Sequence, residues 1–259
     1  MPRPTLTYPK TAANKVIRYA SNAAYETTTI HSIVASVPVV HVSSVAPGDP
    51  PLPTILPMIG ALGSFENPSA GLDEALDLYI HGYVSARLFR GREAAGFPVC
   101  VAATIVDGLV LALTPYSHSY NYRSAVLHGT ATPVTDSEEK LYAMKLVTEH
   151  VLPGRWAGSR VPPLKAELDS TGILKVKITS ASAKVRTGPP NDAKADLEDG
   201  DVTKRVWTGV VPTWTAYGEP VPTGTVDRVP EYVRDAAEGR TKAGKKTAEE
   251  AVLKAPAKV

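Results

Sequence analysis

The sequence predicts a mainly β protein, an antiparallel barrel or sandwich with helices at its periphery. Three observations carry this. Apolar, β-branched runs outnumber helical patterns, each helical pattern stands alone between two such runs, and no regular strand–helix–strand alternation is present. A chain of 259 residues, 43% hydrophobic, can bury a sizeable core. It reads as one domain over residues 25–232, with an arm at 1–24 and a tail at 233–259.

The elements follow in order. The arm is polar and proline-bearing. In "YETTTIHSIVASVP", Ile30, Ile33, Val34 and Val37 fall at helical spacing, Thr27 to Thr29 offer capping hydroxyls, and Pro38 stops the helix. "VVHVSS" reads as a strand, "APGDPPLP" as a proline-rich turn, and "TILPMIG" as a strand bent at Pro57. A loop, "ALGSFENPSAGLDEA", leads into the strand "LDLYIHG". "YVSARLFRGREAAG" has helical spacing. "FPVCVAATIV" and "LVLALTPY" are joined by Asp107-Gly108, a pair suited to a two-residue type I′ turn, so a hairpin is expected there. "NYRSAVLHGTATPV" is a further strand and "DSEEKLYAMKLVTEHVL" a capped amphipathic helix. "GILKVKITSASAKVR" and "RVWTGVVPTWTAY" are the last strands. Beyond about Val233 the tail carries seven basic and four acidic side chains with little to bury, and reads as disordered or weakly helical.

Charge excludes several classes of function. A net charge of +2, from 28 basic and 26 acidic residues, gives no strong electrostatic drive towards nucleic acid or a membrane surface. The lone Cys100 cannot form an internal disulfide, and no apolar run reaches a membrane-spanning length, so a cytoplasmic setting is expected. The six histidines are scattered without zinc-ligand spacing, so no metal site is expected. Nucleophile elbows, Walker loops and dinucleotide glycine fingerprints are absent. The carboxylates Asp73, Glu74 and Asp77 read as a solvated loop.

Four segments could carry chemistry. In "LYIHGYVSARLFR" a strand meets a glycine and then a helix opening with Ser85 and Arg87, which is either a phosphate site or an ordinary capped helix with an exposed arginine. In "YSHSYNYRSAVLHG", three tyrosines, two histidines, an asparagine and an arginine occupy 14 residues where a buried strand is expected. Strand alternation puts Asn121 and Arg123 on one face, Tyr122 and Ser124 on the other. The strand either emerges into solvent or lines a pocket for a polar, planar ligand. "SASAKVRTGPP" sets Lys184 and Arg186 on one face before a turn, and Trp207 in "VWTGVVP" has an indole able to cover a planar ring or to fill a core.

In combination, "HGYVSAR", "HSYNYRSAVLHG", "SAKVRTGPP" and "VWTGVVP", together with "YETTTIHSIVASVPVVHV" and "LPGRW", resemble the FMN-binding split-barrel family related to pyridoxamine 5′-phosphate oxidase, and within it the flavin-nucleotide-binding branch. The likeness spans about residues 25–215. It implies a six-stranded antiparallel split β-barrel of Greek-key type that forms a homodimer, with FMN at the subunit interface. Carried over, Ser85 and Arg87 look like phosphate ligands, with His81 and Gly82 beside the ribityl chain. Asn121, Tyr122, Arg123 and Ser124 would face the flavin, Lys184 and Arg186 would add positive charge, and Trp207 would approach from the partner chain. The vitamin-B6 oxidases continue their tryptophan strand into an arginine–histidine segment that holds the substrate phosphate. "VWTGVVPTWTAYGEP" lacks it, which argues against pyridoxamine phosphate oxidation. The insertion over residues 46–75 also departs from short relatives.

The resemblance therefore implies an FMN-dependent oxidoreductase, passing electrons from NAD(P)H to a small acceptor, with His118 and Tyr122 as the candidate acid–base groups. The alternative is a non-catalytic flavin or haem binding or storage protein. A third reading is an interaction protein using its basic tail.

Overall fold

The computed structural model describes residues 5–46, 51–90 and 95–254. In chain order it contains β1 (Ala23–Ala24), α1 (Thr27–Ser36), β2 (Val40–Ala46), β3 (Leu52–Met58), β4 (Gly60–Gly63), β5 (Asp77–Tyr83), β6 (Phe97–Leu111) and β7 (Ser119–Pro133). There follow α2 (Ser137–Val151), α3 (Lys165–Ser170), β8 (Thr171–Arg186), α4 (Lys194–Glu198), α5 (Gly200–Arg205), β9 (Gly209–Pro212) and α6 (Glu231–Leu253). The strands make one sheet in the order β3-β2-β6-β7-β8-β5-β4, with β1 beside β8 and β9 beside β6. Among the described residues there are nine strands, where the resemblance implied a six-stranded barrel. Two of them, β1 and β9, are very short, and residues 52–58 of the insertion form β3, which pairs antiparallel with β2. Residues 47–50 of the expected proline-rich turn lie outside the described residues, as do residues 91–94 of the expected helix after β5.

The chain divides into two compact units. Unit 1 takes the chain up to Ile17, Ala23–Thr104 and Ser124–Ala183; unit 2 takes Arg18–Asn22, Ile105–Arg123 and the chain from Lys184 onwards.

In unit 1, β5 pairs antiparallel with β4 on one side and β8 on the other. Its Leu78, Tyr79 and Ile80 are fully buried in succession, as befits a strand covered on both faces. Helix α2 packs on it, placing Ala143 against Tyr79 and Ile173. Each such side chain removed from water stabilises the unit by roughly 1.5–3 kcal/mol. Asp136 caps α2 by accepting from the backbone N–H groups of Glu138 and Glu139 at 3.0 and 2.8 Å. Helix α1 forms where expected, but Glu26, not a threonine, stands at its N-cap and makes no side-chain capping bond. The helix expected at residues 83–96 does not form over the described residues 84–90, which make successive turns and a bend. Asp77, expected in a solvated loop, instead lies on β5 within reach of Lys175, which also bonds Glu139 at 2.7 Å.

Unit 2 overturns the expected hairpin. Strand β6 runs unbroken through Asp107-Gly108, and Gly108 has no positive φ. Two local facts explain this. The Asp107 side chain is 3% exposed and bridges Arg123, so it serves as a buried counter-ion rather than a turn former. Gly108 lies opposite Pro212 of β9, where an added Cβ would sit 2.9 Å from a Val210 methyl. A turn signal and a close-approach signal are the same dipeptide. The tail also differs from its expectation. It forms the 23-residue α6, with Ala248 and Ala251 buried and the Ala251 carbonyl accepting from the Gly188 N–H at 2.7 Å.

Candidate functional site

Unit 2 contains a cavity of about 510 Å³. The short 3₁₀ turn before β7 and the start of that strand give it Tyr116, Ser117, His118, Ser119 and Tyr122. The end of β8 gives Lys184 and Arg186, and the loop after it gives Asn191. The remaining wall is Arg18, Tyr19 and Asn22, from the arm. The stretch does both things its composition left open: Ser119 and Tyr122 line the cavity, while Tyr116 and Tyr120 are largely exposed to solvent.

The lining carries three permanent or near-permanent cations, Arg18, Lys184 and Arg186, and no carboxylate. Such a set attracts anions. Arg18 is held above its ordinary value by the Tyr19 side chain, through a hydrogen bond and electrostatic attraction, with Tyr116 acting the same way. Burial pulls Arg186 below its ordinary value, while Tyr122 and Tyr19 oppose that; a guanidinium stays charged throughout. Arg186 is also fixed in place: it donates to the Asn121 side-chain oxygen and to the carbonyls of Gly188 and Pro189. The His118 Nδ1 accepts the Ala112 backbone N–H at 3.0 Å, which leaves Nε2 as the protonated nitrogen of the neutral ring.

The structure thus brings together His118, Tyr122, Lys184 and Arg186 of the residues singled out in the sequence. It gives two of their neighbours other work. Asn121, expected on the ligand, is fully buried, and its amide donates to the carbonyls of Gly188 at 3.1 Å and Ala251 at 3.5 Å. It organises the wall. Arg123, expected on a phosphate, makes a two-pronged bond to Asp107, with both contacts at 2.8 Å. Trp207 is 65% exposed and does not line the cavity; an added Cβ on Gly209 would collide with its indole.

His81, Gly82, Ser85, Arg87 and Ser124 belong to unit 1, and none lines the cavity. Ser85 and Arg87 are exposed on the turns after β5, so no helix N-terminus is available there. Gly82 pairs with Gly172 across β5 and β8, and a Cβ on either would strike the Phe89 ring, at 2.5 and 2.7 Å. The two glycines form a slot for Phe89. His81 Nδ1 and His128 Nε2 are buried nitrogens without a hydrogen-bond partner, and burial holds His81 below its ordinary value against a backbone contact from Ile59. The other buried imidazole, His31, is bonded at both nitrogens, to Tyr8 and to the Leu72 carbonyl. Among the described residues no group of three or more His, Cys, Asp or Glu could hold a metal ion.

Sequence reasoning singled out the stretch from Tyr116 onwards but missed Arg18, Tyr19, Asn22 and Asn191 as lining residues. The one available signal for the arm was a basic–aromatic pair inside an otherwise polar stretch.

Residues 26–185 match the model of the pyridoxamine 5′-phosphate oxidase family, and the chain belongs to it. Its fold is that family's mainly β split barrel. Two solved structures are similar over most of their length. The flavocytochrome Anf3 from Azotobacter vinelandii shares 27% identity over 87% of this chain and 97% of its own, with a TM-score of 0.71. The FAD and heme binding protein from Mycobacterium smegmatis shares 29% over 83% and 97%, with a TM-score of 0.68. No curated protein matches the chain. Among the described residues no helix is long and apolar enough to cross a membrane.

Proposed function

We propose that this chain binds a flavin nucleotide in the unit 2 cavity and works as a flavin-dependent electron-transfer protein or oxidoreductase. The observation that carries the reading is a cavity lined by the cations Arg18, Lys184 and Arg186 together with Tyr19, Tyr116 and Tyr122, and by no carboxylate. Family membership and the flavin proteins among its structural relatives support it. A bound isoalloxazine would supply the redox chemistry. The chain's part is to hold the anionic end with Lys184 and Arg186, to present ring faces from the tyrosines, and to offer the His118 Nε2 proton to a ligand oxygen or nitrogen. Freshly purified protein should be yellow, with flavin identified by mass after extraction, and NADH or NADPH should bleach it. Lys184→Ala should weaken flavin binding roughly tenfold, the loss expected for one charge-assisted hydrogen bond. Colourless protein that takes up no added flavin sinks the reading.

A haem bound in unit 1 is a second reading, favoured by the two unpaired buried imidazole nitrogens of His81 and His128. Histidine is a common haem ligand, and an unsatisfied ring nitrogen in a buried setting fits that duty. The proteins of similar structure include one described as binding FAD and heme. A Soret band that survives in His118→Ala but is lost in His81→Ala or His128→Ala would bear this out. Unchanged spectra in both variants would exclude these ligands. The homodimer implied by the family resemblance belongs to the same proposal: Trp207, 65% exposed as a residue, would meet the partner chain. Light scattering on the flavin-loaded protein tests it, and a monomer rules it out.

A further inference from the structure

We infer that the short strap Arg18–Asn22 is a gate on the unit 2 cavity, swinging aside to admit an anionic ligand and closing over it. Of the flavin-nucleotide reading, this rests only on the cavity holding an anion. Position is the first support. Arg18, Tyr19 and Tyr116 line the cavity yet are exposed, so they stand at its rim. Tyr122, Lys184 and Arg186 are half-buried and stand deeper. A ligand bound to the deeper cations must pass the rim. The strap can move there: it follows directly on Ile17, which is 84% exposed.

The second support is a balance of strain against weak ties. Tyr19 is the one non-glycine residue with a positive φ, +54°, among the described residues. A tyrosine in the left-handed region is disfavoured by its own Cβ, and such outliers gather at clamps and switches, where surrounding contacts hold them. Within the strap, the Asn22 N–H donates to the Tyr19 carbonyl at 3.0 Å. Two ties join the strap to the rest of unit 2. Lys184 Nζ, from β8, lies 5.7 Å from the Tyr19 ring centroid, and Arg18 interacts with the Tyr116 side chain. At an exposed rim neither is a strong contact. Releasing them lets the Tyr19 backbone return to negative φ, which brings the held and relaxed arrangements close in free energy, as a gate requires. Arg18 lies on the same ring, its guanidinium carbon 5.1 Å from the centroid. An anion bonded to both Arg18 and Lys184 therefore adds a third tie and draws the strap shut.

The experiment measures association and dissociation rates of FMN and of pyrophosphate on flavin-stripped wild type, Tyr19→Ala and Tyr19→Phe. Tyr19→Ala removes the ring and keeps the disfavoured Cβ; Tyr19→Phe keeps the ring. Tyr19 is exposed, so folding is preserved, and circular dichroism checks that it is. Tyr19→Ala should speed association and dissociation alike, about fivefold each, and move Kd less than about twofold. Tyr19→Phe should stay near wild type. Trypsin gives a second readout. Saturating anion should slow cleavage after Arg18 in the wild type about fivefold, and leave cleavage after the exposed Arg228 unchanged. If pyrophosphate shows both effects while FMN does not bind, the flavin reading fails and the gate stands. If FMN binds while Tyr19→Ala changes its dissociation alone, or neither rate, the flavin reading stands and the gate is overturned. Cleavage after Arg18 that bound anion leaves unchanged also overturns it, as does failure of both anions to bind.

Discussion

Arg123 shows how a side chain with the right chemistry can be committed elsewhere. In the sequence it stands beside Asn121 in a block that points to a ligand, and a free guanidinium there would suit a phosphate. In the structure its Nε and Nη2 face the Asp107 carboxylate, whose side chain is 3% exposed against 24% for the arginine. Breaking such a pair from one side leaves a buried charge without compensation, which costs about 3 kcal/mol. Arg123→Ala should therefore lower the denaturation midpoint strongly in flavin-free protein. Lys184→Ala, at the cavity, should weaken the ligand and barely move that midpoint. The opposite pattern, a stable Arg123→Ala that no longer binds flavin, would return Arg123 to the ligand. Asn121 makes the same point more quietly. Its position on the ligand strand was readable, while its full burial beneath Arg186 and the Gly188 turn was not.

Helix α6 is the element that composition described least well. Read for hydrophobicity it has almost nothing to bury, and with glycines at 239 and 244 it looks a poor helix. What buries it is small: Ala248 and Ala251 are inside, so the contact comes from backbone closeness rather than bulk. Close approach lets the Ala251 carbonyl take the Gly188 N–H, with Asn121 reaching the same oxygen. Gly188 itself has a φ of +90°, a conformation that favours glycine and lets the chain turn there. Ion pairs Lys245–Glu249 and Lys246–Glu250, at 3.9 and 3.8 Å, are exposed and add only a few tenths of a kcal/mol each. Ending the chain after residue 230 should strip the Gly188 turn of that acceptor. The shortened protein should melt several degrees lower, and its flavin affinity should fall because Arg186 is anchored on the same turn. A truncated chain with unchanged melting and affinity would make the helix an appendage.

The protein as a unit of stability should respond to pH through buried imidazoles. Burial holds both His31 and His81 below the ordinary histidine value, against weaker opposition from the Leu72 and Ile59 backbones. A depressed folded value means that the unfolded chain binds more protons once pH falls below about 6.5. The stabilisation is thus complete above that pH and is lost as pH falls towards the folded values. Tyr8, pushed up to about 12 by burial and the nearby Asp77, stays protonated through this window and keeps its bond to His31. Urea midpoints should fall between pH 7.5 and 5.5 (about the span these histidines cover), and His31→Gln should flatten the fall. A flat profile in the wild type would show that neither imidazole is linked to folding.

The sequence by itself determined the β character, the amphipathic α1 and α2, the polar strand opening at residue 119, and the basic pair Lys184 and Arg186. Each of these is written in local periodicity or in one short block. Tertiary structure alone decided that Asp107-Gly108 runs straight, that Arg123 is neutralised, that the tail is a docked helix, and that Arg18 and Tyr19 reach the cavity. The reason is physical. A dipeptide, a charge or an alanine face has several low-energy uses that differ little in isolation, and only the partner brought from far along the chain makes one of them clearly lower than the rest.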